Sequence, residues 1–288
     1  MNKRIFHVLP AQEVDMGGIL VKQALPTLRV EQVDPYLLLH HGRFEFPNGG
    51  KALHQGIGPH PHRGFSPVTF IIEGELHHRD SFGHSQVAYA GDVQWMDAGA
   101  GIVHSERPSQ ALVDRKGTQE VVQIWINTHS SRKLLPPSYQ YAPAAEMPDI
   151  SPRPDLFRIG LVTGRTDTVR GPVHSAEDLW IGWGHWAQSA SYTWKLEAGT
   201  NAMIYVLRGS LRIPTFGRVE AEQLVVCSAE GKELEIQAEA GTQCLLLAGR
   251  PLDEKIVSQG PFVMNNETQI LEAMRDYQMG KMGILIEE

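Results

Sequence analysis

Short apolar runs, broken repeatedly by Gly, Asp and Pro, dominate the hydrophobic pattern of this chain. Runs of this length bounded by turn residues read as strands of a sandwich or barrel. In the first half the pattern predicts strands over 36–40, 68–73, 86–89, 93–96 and 121–127, with Gly74, Gly83, Gly91 and Gly99 at the breaks. In the second half it predicts strands over 156–163, 179–186, 191–196, 202–207 and 243–248. One helix is expected near the end. Asn266 caps it, Gln269 completes a capping box, Ile270, Ala273, Met274 and Tyr277 form its apolar stripe, and Gly280 stops it.

A segment starting at Val68 (Val-Thr-Phe-Ile-Ile-Glu-Gly-Glu-Leu) resembles one starting at Met203 (Met-Ile-Tyr-Val-Leu-Arg-Gly-Ser-Leu). Each is an apolar strand followed by charged-Gly-polar-Leu, which suggests two copies of one β module. Between the halves, Pro136, Pro137, Pro143, Pro148, Pro152 and Pro154 read as an extended linker. The expected partition is 1–130, a Pro-rich linker at 131–155, and 156–288 ending in the helix.

Composition narrows the classes. The chain has 288 residues, 42% hydrophobic and 20% charged, as in ordinary globular proteins. A net charge of −7 and the lack of any long basic run argue against direct nucleic-acid binding. No apolar stretch approaches the roughly 20 residues of a membrane span, and the polar residues after Met1-Asn2-Lys3-Arg4 imply no signal peptide. The two cysteines, Cys227 and Cys244, lie in apolar strands and read as buried thiols of a reduced, cytoplasmic protein.

The candidate chemistry lies in the first half, where seven of thirteen histidines fall between positions 54 and 104. His60-Pro61-His62-Arg63-Gly64 and Gly101-Ile102-Val103-His104-Ser105-Glu106 each place two metal-competent side chains two apart. On a strand such residues share a face. Two strands carrying His60/His62 and His104/Glu106 therefore offer three imidazoles and one carboxylate to one ion. The bland alternative is a hydrogen-bonded polar patch at a sheet edge. Three nitrogens and one oxygen suit iron(II) with positions left open; Mn, Ni, Cu and Zn stay open as alternatives.

Adjacent residues on a strand face opposite ways, so neither His77-His78 nor His40-His41 can join the site as a pair. The first pair reads as a surface hairpin. Arg63 is expected to pair with a carboxylate, while Gln123 and Trp125 alternate toward the pocket and His54 lies in a loop near its mouth. The segment Leu39-His40-His41-Gly42-Arg43-Phe44 reads as an insertion at the rim.

The His60-to-Phe65 segment, Ile72-Glu73-Gly74-Glu75-Leu76, Gly91-Asp92-Val93-Gln94-Trp95-Met96, the run from Gly99 to Glu106, and Gly260-Pro261-Phe262-Val263-Met264-Asn265 together resemble the pirin family. The resemblance covers most of the chain. It implies an all-β bicupin, two tandem β-sandwich or jelly-roll barrels with a short C-terminal helix. It also implies iron held by His60, His62, His104 and Glu106 in an N-terminal cupin, while the C-terminal cupin reads as empty because Gly199-Thr200-Asn201-Ala202-Met203 lacks any His-x-His. The usual cupin glutamate after His-x-His is missing from Gly64-Phe65-Ser66-Pro67, so Glu106 must supply the oxygen ligand. Ser66 stands where pirins commonly carry glutamate.

The resemblance implies a quercetin 2,3-dioxygenase-like enzyme that opens a flavonol or similar planar phenolic ring with O2, with Glu106 as catalytic proton acceptor. Two other readings stand beside it. One is an iron-dependent redox-sensing regulator that binds a protein partner without turnover. The other is a metal cupin acting on an unrelated small molecule without consuming oxygen.

Overall fold

A computed structural model describes residues 2–287. The outermost limits of the expected partition, Met1 and Glu288, lie outside the described residues. The chain runs through β1 (Ile5–Pro10), β2 (Gln12–Asp15), β3 (Leu20–Leu25), β4 (Tyr36–Glu45), β5 (Ile57–His62), β6 (Phe65–Glu73), β7 (Glu75–Asp80), β8 (Ser85–Tyr89), β9 (Val93–Asp97) and β10 (Ile102–Arg107). A short helix α1 (Gln110–Asp114) precedes β11 (Thr118–Asn127) and β12 (Ser138–Ala142). Then come β13 (Phe157–Thr163), β14 (Leu179–Trp186), β15 (Ala190–Lys195), β16 (Asn201–Arg208), β17 (Ser210–Ile213), β18 (Gly217–Glu220), β19 (Gln223–Cys227), β20 (Glu233–Ala238) and β21 (Gln243–Gly249). The chain closes with β22 (Val257–Gln259), β23 (Phe262–Met264) and α2 (Glu267–Gln278).

The strands build two compact units, each a sandwich-like cupin domain. Unit 1 takes residues up to His40 and Ala145–Leu252; unit 2 takes His41–Ala144 and the residues from Asp253 onward. Both are discontinuous, unlike the contiguous 1–130, 131–155 and 156–288 expected from the sequence. The reason in unit 1 is long-range pairing. β1 hydrogen-bonds along β19, with Val8 opposite Val225, a register that no local pattern reveals.

Unit 1 layers a six-stranded sheet, β1-β19-β16-β21-β14-β13, with a four-stranded one, β15-β20-β17-β18. Alternate residues from both fill one apolar core, including Trp186, Trp194, Ile204, Leu234, Ile236 and Leu246. Burying each such aliphatic side chain is worth about 1.5–3 kcal/mol over leaving it exposed. Both free cysteines lie in this core.

Unit 2 contains the sheet β5-β10-β7-β8 and the run β12-β9-β6-β11, continued by residues 41–45 of β4. β12 corrects the linker reading. Residues 138–142 pair along β9, and Pro136, Pro137 and Pro143 lie just outside the strand, where no ladder hydrogen bond is lost. The rim insertion is corrected too, because residues 39–44 lie inside β4. The capped helix is α2: the Asn266 side chain accepts from the Gln269 backbone N–H. Ile270 and Ala273 pack with Val103, Phe262 and Met264, with Met274 half-buried beside them, whereas Tyr277 of the expected stripe is exposed. Among the described residues, no helix is long and apolar enough to cross a membrane.

Candidate metal centre

β5 presents His60 and His62 on one face, and antiparallel pairing sets His104 of β10 directly opposite His60. Ring centroids are 4.8 Å apart for His60–His62, 4.3 Å for His60–His104 and 4.9 Å for His62–His104. One nitrogen from each ring lies within 4.8 Å of the others. The turn after β5 needs Gly64. Its φ is +86°, and a Cβ there would come 2.1 Å from the Val263 carbonyl oxygen. The buried Lys133 ammonium ties the same place together, donating to the Gly64 carbonyl at 2.6 Å and the Val263 carbonyl at 2.9 Å.

The Nδ1 atoms of the trio are all engaged. His60 Nδ1 lies 2.8 Å from the Gly58 carbonyl, His62 Nδ1 3.4 Å from the Pro261 carbonyl, and His104 Nδ1 3.4 Å from His78 Nδ1. Among the described residues, His62 Nε2 and His104 Nε2 are buried without a hydrogen-bond partner. Burial and the His60 ring hold the His62 imidazole well below its usual pKa, against the opposing Pro261 carbonyl. Burial and the His60, His62 and His78 rings do the same for His104. Both are therefore neutral near pH 7, with ring lone pairs free. A hydrogen-bonded polar patch would leave these two nitrogens unsatisfied, whereas neutral imidazoles are the donors a divalent metal takes. The donor set fits a metal.

Glu106 is buried on the same strand but is not a member of the trio. The β5–β10 register slips between His104, opposite His60, and Glu106, opposite Ile57. Gln123 Nε2 donates to both Glu106 oxygens at 2.8 and 3.0 Å, and the Thr69 hydroxyl donates at 3.3 Å. Trp125 Nε1 in turn donates to Gln123 Oε1 at 3.0 Å. Gln123 and Trp125 thus stand at the site, as their alternation on β11 predicts. Thr69 was not foreseen; its signal is the β6–β11 register, which sets it opposite Gln123.

The sequence reading also missed the other side of His104. His78 is buried rather than on a surface hairpin, and it stacks on Tyr139 at 4.3 Å. His78 Nε2 lies 3.0 Å from Asp80 Oδ2, which His84 Nδ1 also meets at 2.8 Å. Burial works to raise the Asp80 pKa, but hydrogen bonds from His78 and His84 outweigh it and hold the carboxyl below its usual value.

The remaining candidates bind elsewhere. His77 meets Ser85, His40 meets Gln23, His41 meets Glu120, and His54 is exposed. Arg63 pairs with Asp276 at 3.0 Å, the carboxylate partner expected of it. Ser66 donates to Asp97 at 2.7 Å, away from the trio. On the near side, Phe65 and Trp125 flank His62 with centroids 5.0 and 5.3 Å away.

Known proteins resemble this chain over nearly its whole length. A family model described as pirin matches residues 18–126, and one described as the pirin C-terminal cupin domain matches residues 185–283. A solved quercetin 2,3-dioxygenase from Acinetobacter baumannii is 32% identical, with a TM-score of 0.91 over 99% of this chain and 100% of that one. A Pseudomonas aeruginosa protein with a provisional quercetin 2,3-dioxygenase name is 34% identical over 87% of each chain. Mouse pirin is 30% identical over 98% of this chain and 94% of its own length. Matched in both cupin domains and along nearly its whole length, the chain belongs to the pirin family.

Proposed function

We propose that unit 2 holds one divalent metal, iron(II) before Mn, Ni, Cu or Zn, and that the protein is an oxidoreductase acting on a planar phenolic substrate with O2. The observation that carries this reading is the pair of buried, partnerless nitrogens, His62 Nε2 and His104 Nε2, beside the third imidazole of His60. The likeness to the Acinetobacter baumannii quercetin 2,3-dioxygenase supports the substrate class.

His60, His62 and His104 would hold the metal, and Glu106 would add the single carboxylate. Bound there, the metal would supply a Lewis acid that favours the deprotonated phenol and redox chemistry toward O2. Glu106 accepts the phenolic proton on a carboxylate oxygen, while the Gln123 amide and the Thr69 hydroxyl fix its orientation. Phe65 and Trp125 give the His62 side an aromatic wall suited to a flat ring. The two buried free thiols support a reducing, cytoplasmic setting.

The test is anaerobic reconstitution with iron(II), followed by oxygen-electrode assay with quercetin. Oxygen uptake that depends on both iron and quercetin, and is lost in His62→Ala, is the expected result. Unchanged uptake in that variant contradicts the reading. One iron bound per chain with no uptake would favour the redox-sensing alternative instead.

A further inference from the structure

The three imidazoles of the trio are not oriented alike. Carbonyl oxygens only accept, so the Gly58 and Pro261 carbonyls oblige His60 and His62 to carry hydrogen on Nδ1, which in the neutral ring leaves Nε2 bare. His104 has no such carbonyl. Its Nδ1 faces His78 Nδ1 at 3.4 Å, and a ring nitrogen can play either role. What settles His104 is therefore one ring further out.

Asp80 Oδ2 is 3.0 Å from His78 Nε2, and an ionised carboxylate only accepts. In its neutral form His78 then carries its one hydrogen on Nε2 and presents a bare Nδ1 to His104. That lone pair accepts the His104 Nδ1–H, and His104 Nε2 is left as a lone pair facing His60 and His62. Stacking on Tyr139 holds the plane of the His78 ring. Asp80 is itself fixed: its Oδ1 accepts from the Phe82 and His84 backbone N–H groups, and its Oδ2 also takes His84 Nδ1.

The geometry assigns to Asp80 and His78 the role of positioning residues that set the tautomer of His104, and through it the readiness of the site for a metal. This rests on the metal reading above. It involves no change in the number of protons held, only their placement.

The sharpest variant is Asp80→Asn. The introduced amide keeps an oxygen for the two backbone N–H groups of the turn but turns an N–H toward His78 Nε2. His78 must then carry its hydrogen on Nδ1, which meets the His104 Nδ1–H head on. Relief comes only if His104 moves its hydrogen to Nε2, where it blocks the metal. We expect iron(II) affinity to fall about 10–100-fold, the usual effect of disturbing a ligand's orienting partner. Adding His78→Asn to that variant should restore affinity to within a few-fold. Its amide oxygen occupies the place of the ring Nδ1 and accepts from His104 whatever stands at position 80.

Two measurements decide the matter. The first is the 1H–15N long-range spectrum of the metal-free protein with labelled histidine. It should show His104 with hydrogen on Nδ1 in the parent and on Nε2 in Asp80→Asn. The second is anaerobic iron(II) titration. Should Asp80→Asn fail to fold, His78→Asn and His78→Leu serve. The tautomer account expects the first to keep affinity and the second to lose it, whereas a packing role for the ring favours the apolar replacement. A parent His104 with hydrogen on Nε2, or equal affinity in His78→Leu and His78→Asn, overturns the inference. The predicted tautomers in a protein that binds no iron would instead overturn the metal reading and leave the positioning intact.

Discussion

The two units thread one strand pattern through opposite interiors. In unit 2, Thr69 of β6 stands opposite Gln123 of β11, and both bond Glu106. The internal repeat puts Ile204 in the place of Thr69, and Ile204 stands opposite Leu246, both in the apolar core of unit 1. The same holds on the other sheet. Leu76 matches Leu211, so His78 matches Ile213. The β7–β10 register sets His78 opposite Glu106 and Asp80 opposite His104, while the β17–β20 register sets Leu211 opposite Ala238. Counting along both strands brings Ile236 to the place of Glu106 and Leu234 to that of His104. Leu234 even faces Trp194 as His104 faces His60.

The contrast teaches that this scaffold is content with a largely apolar filling, in which the buried indole nitrogens of Trp186 and Trp194 also lack a hydrogen-bond partner but stand outside any cluster of metal-competent groups among the described residues. A buried polar group left unsatisfied costs about 1–3 kcal/mol. Unit 2 keeps a polar interior at matching positions, with two imidazole nitrogens unsatisfied by protein. Such an arrangement points to a ligand for those nitrogens, not to stability.

The largest expected effect breaks the contrast at its matching pair. His104→Ala should reduce iron from about one per chain to background by elemental analysis after reconstitution. Leu234→Ala, at the equivalent place, should leave iron content intact but cost about 2–5 kcal/mol in denaturant unfolding through the cavity it opens. If the two variants behaved alike in metal content, the assignment of the site to unit 2 would fail.

A smaller exchange sharpens it. Gln123→Leu copies the unit 1 residue into unit 2 and strips the Glu106 carboxylate of both amide hydrogen bonds. We expect a loss of about 1–3 kcal/mol in stability, together with slower quercetin turnover. Leu246→Gln makes the reverse exchange and should cost a similar amount by burying an amide in an apolar core, with turnover unchanged. Equal turnover in both would show that Gln123 does not act through Glu106.

The smallest effect concerns the thiols. Burial pushes Cys227 and Cys244 of unit 1 up to about 12 from 9.0, with Lys3 opposing the shift at Cys227. The folded protein therefore keeps protons that the unfolded chain releases. Their contribution to stability is complete below about pH 9 and is lost as pH rises toward 12. Ellman's reagent at pH 8 should find no reactive thiol in the native protein and two after denaturation. Rapid labelling of the native form would contradict the burial.

Much of this was legible in the sequence because it is local. Strand positions follow from alternation and glycine breaks, the α2 cap from Asn266 and Gln269, and the histidine trio from spacing of two on strands. What escaped depends on partners distant in sequence. β1 belongs to unit 1 through pairing with β19, and β12 is a strand because β9 offers it an edge. His78 looked like half of a surface pair because its contact, His104, is 26 residues away and its stacking partner is Tyr139 on β12.

The central claim is that His60, His62 and His104 form a metal centre in unit 2. Crystals of the iron-reconstituted protein, with anomalous differences recorded at the iron edge, test it most directly. The account predicts one peak per chain, lying between the Nε2 atoms of those three rings. No peak there, or a dominant peak elsewhere on the molecule, would contradict it.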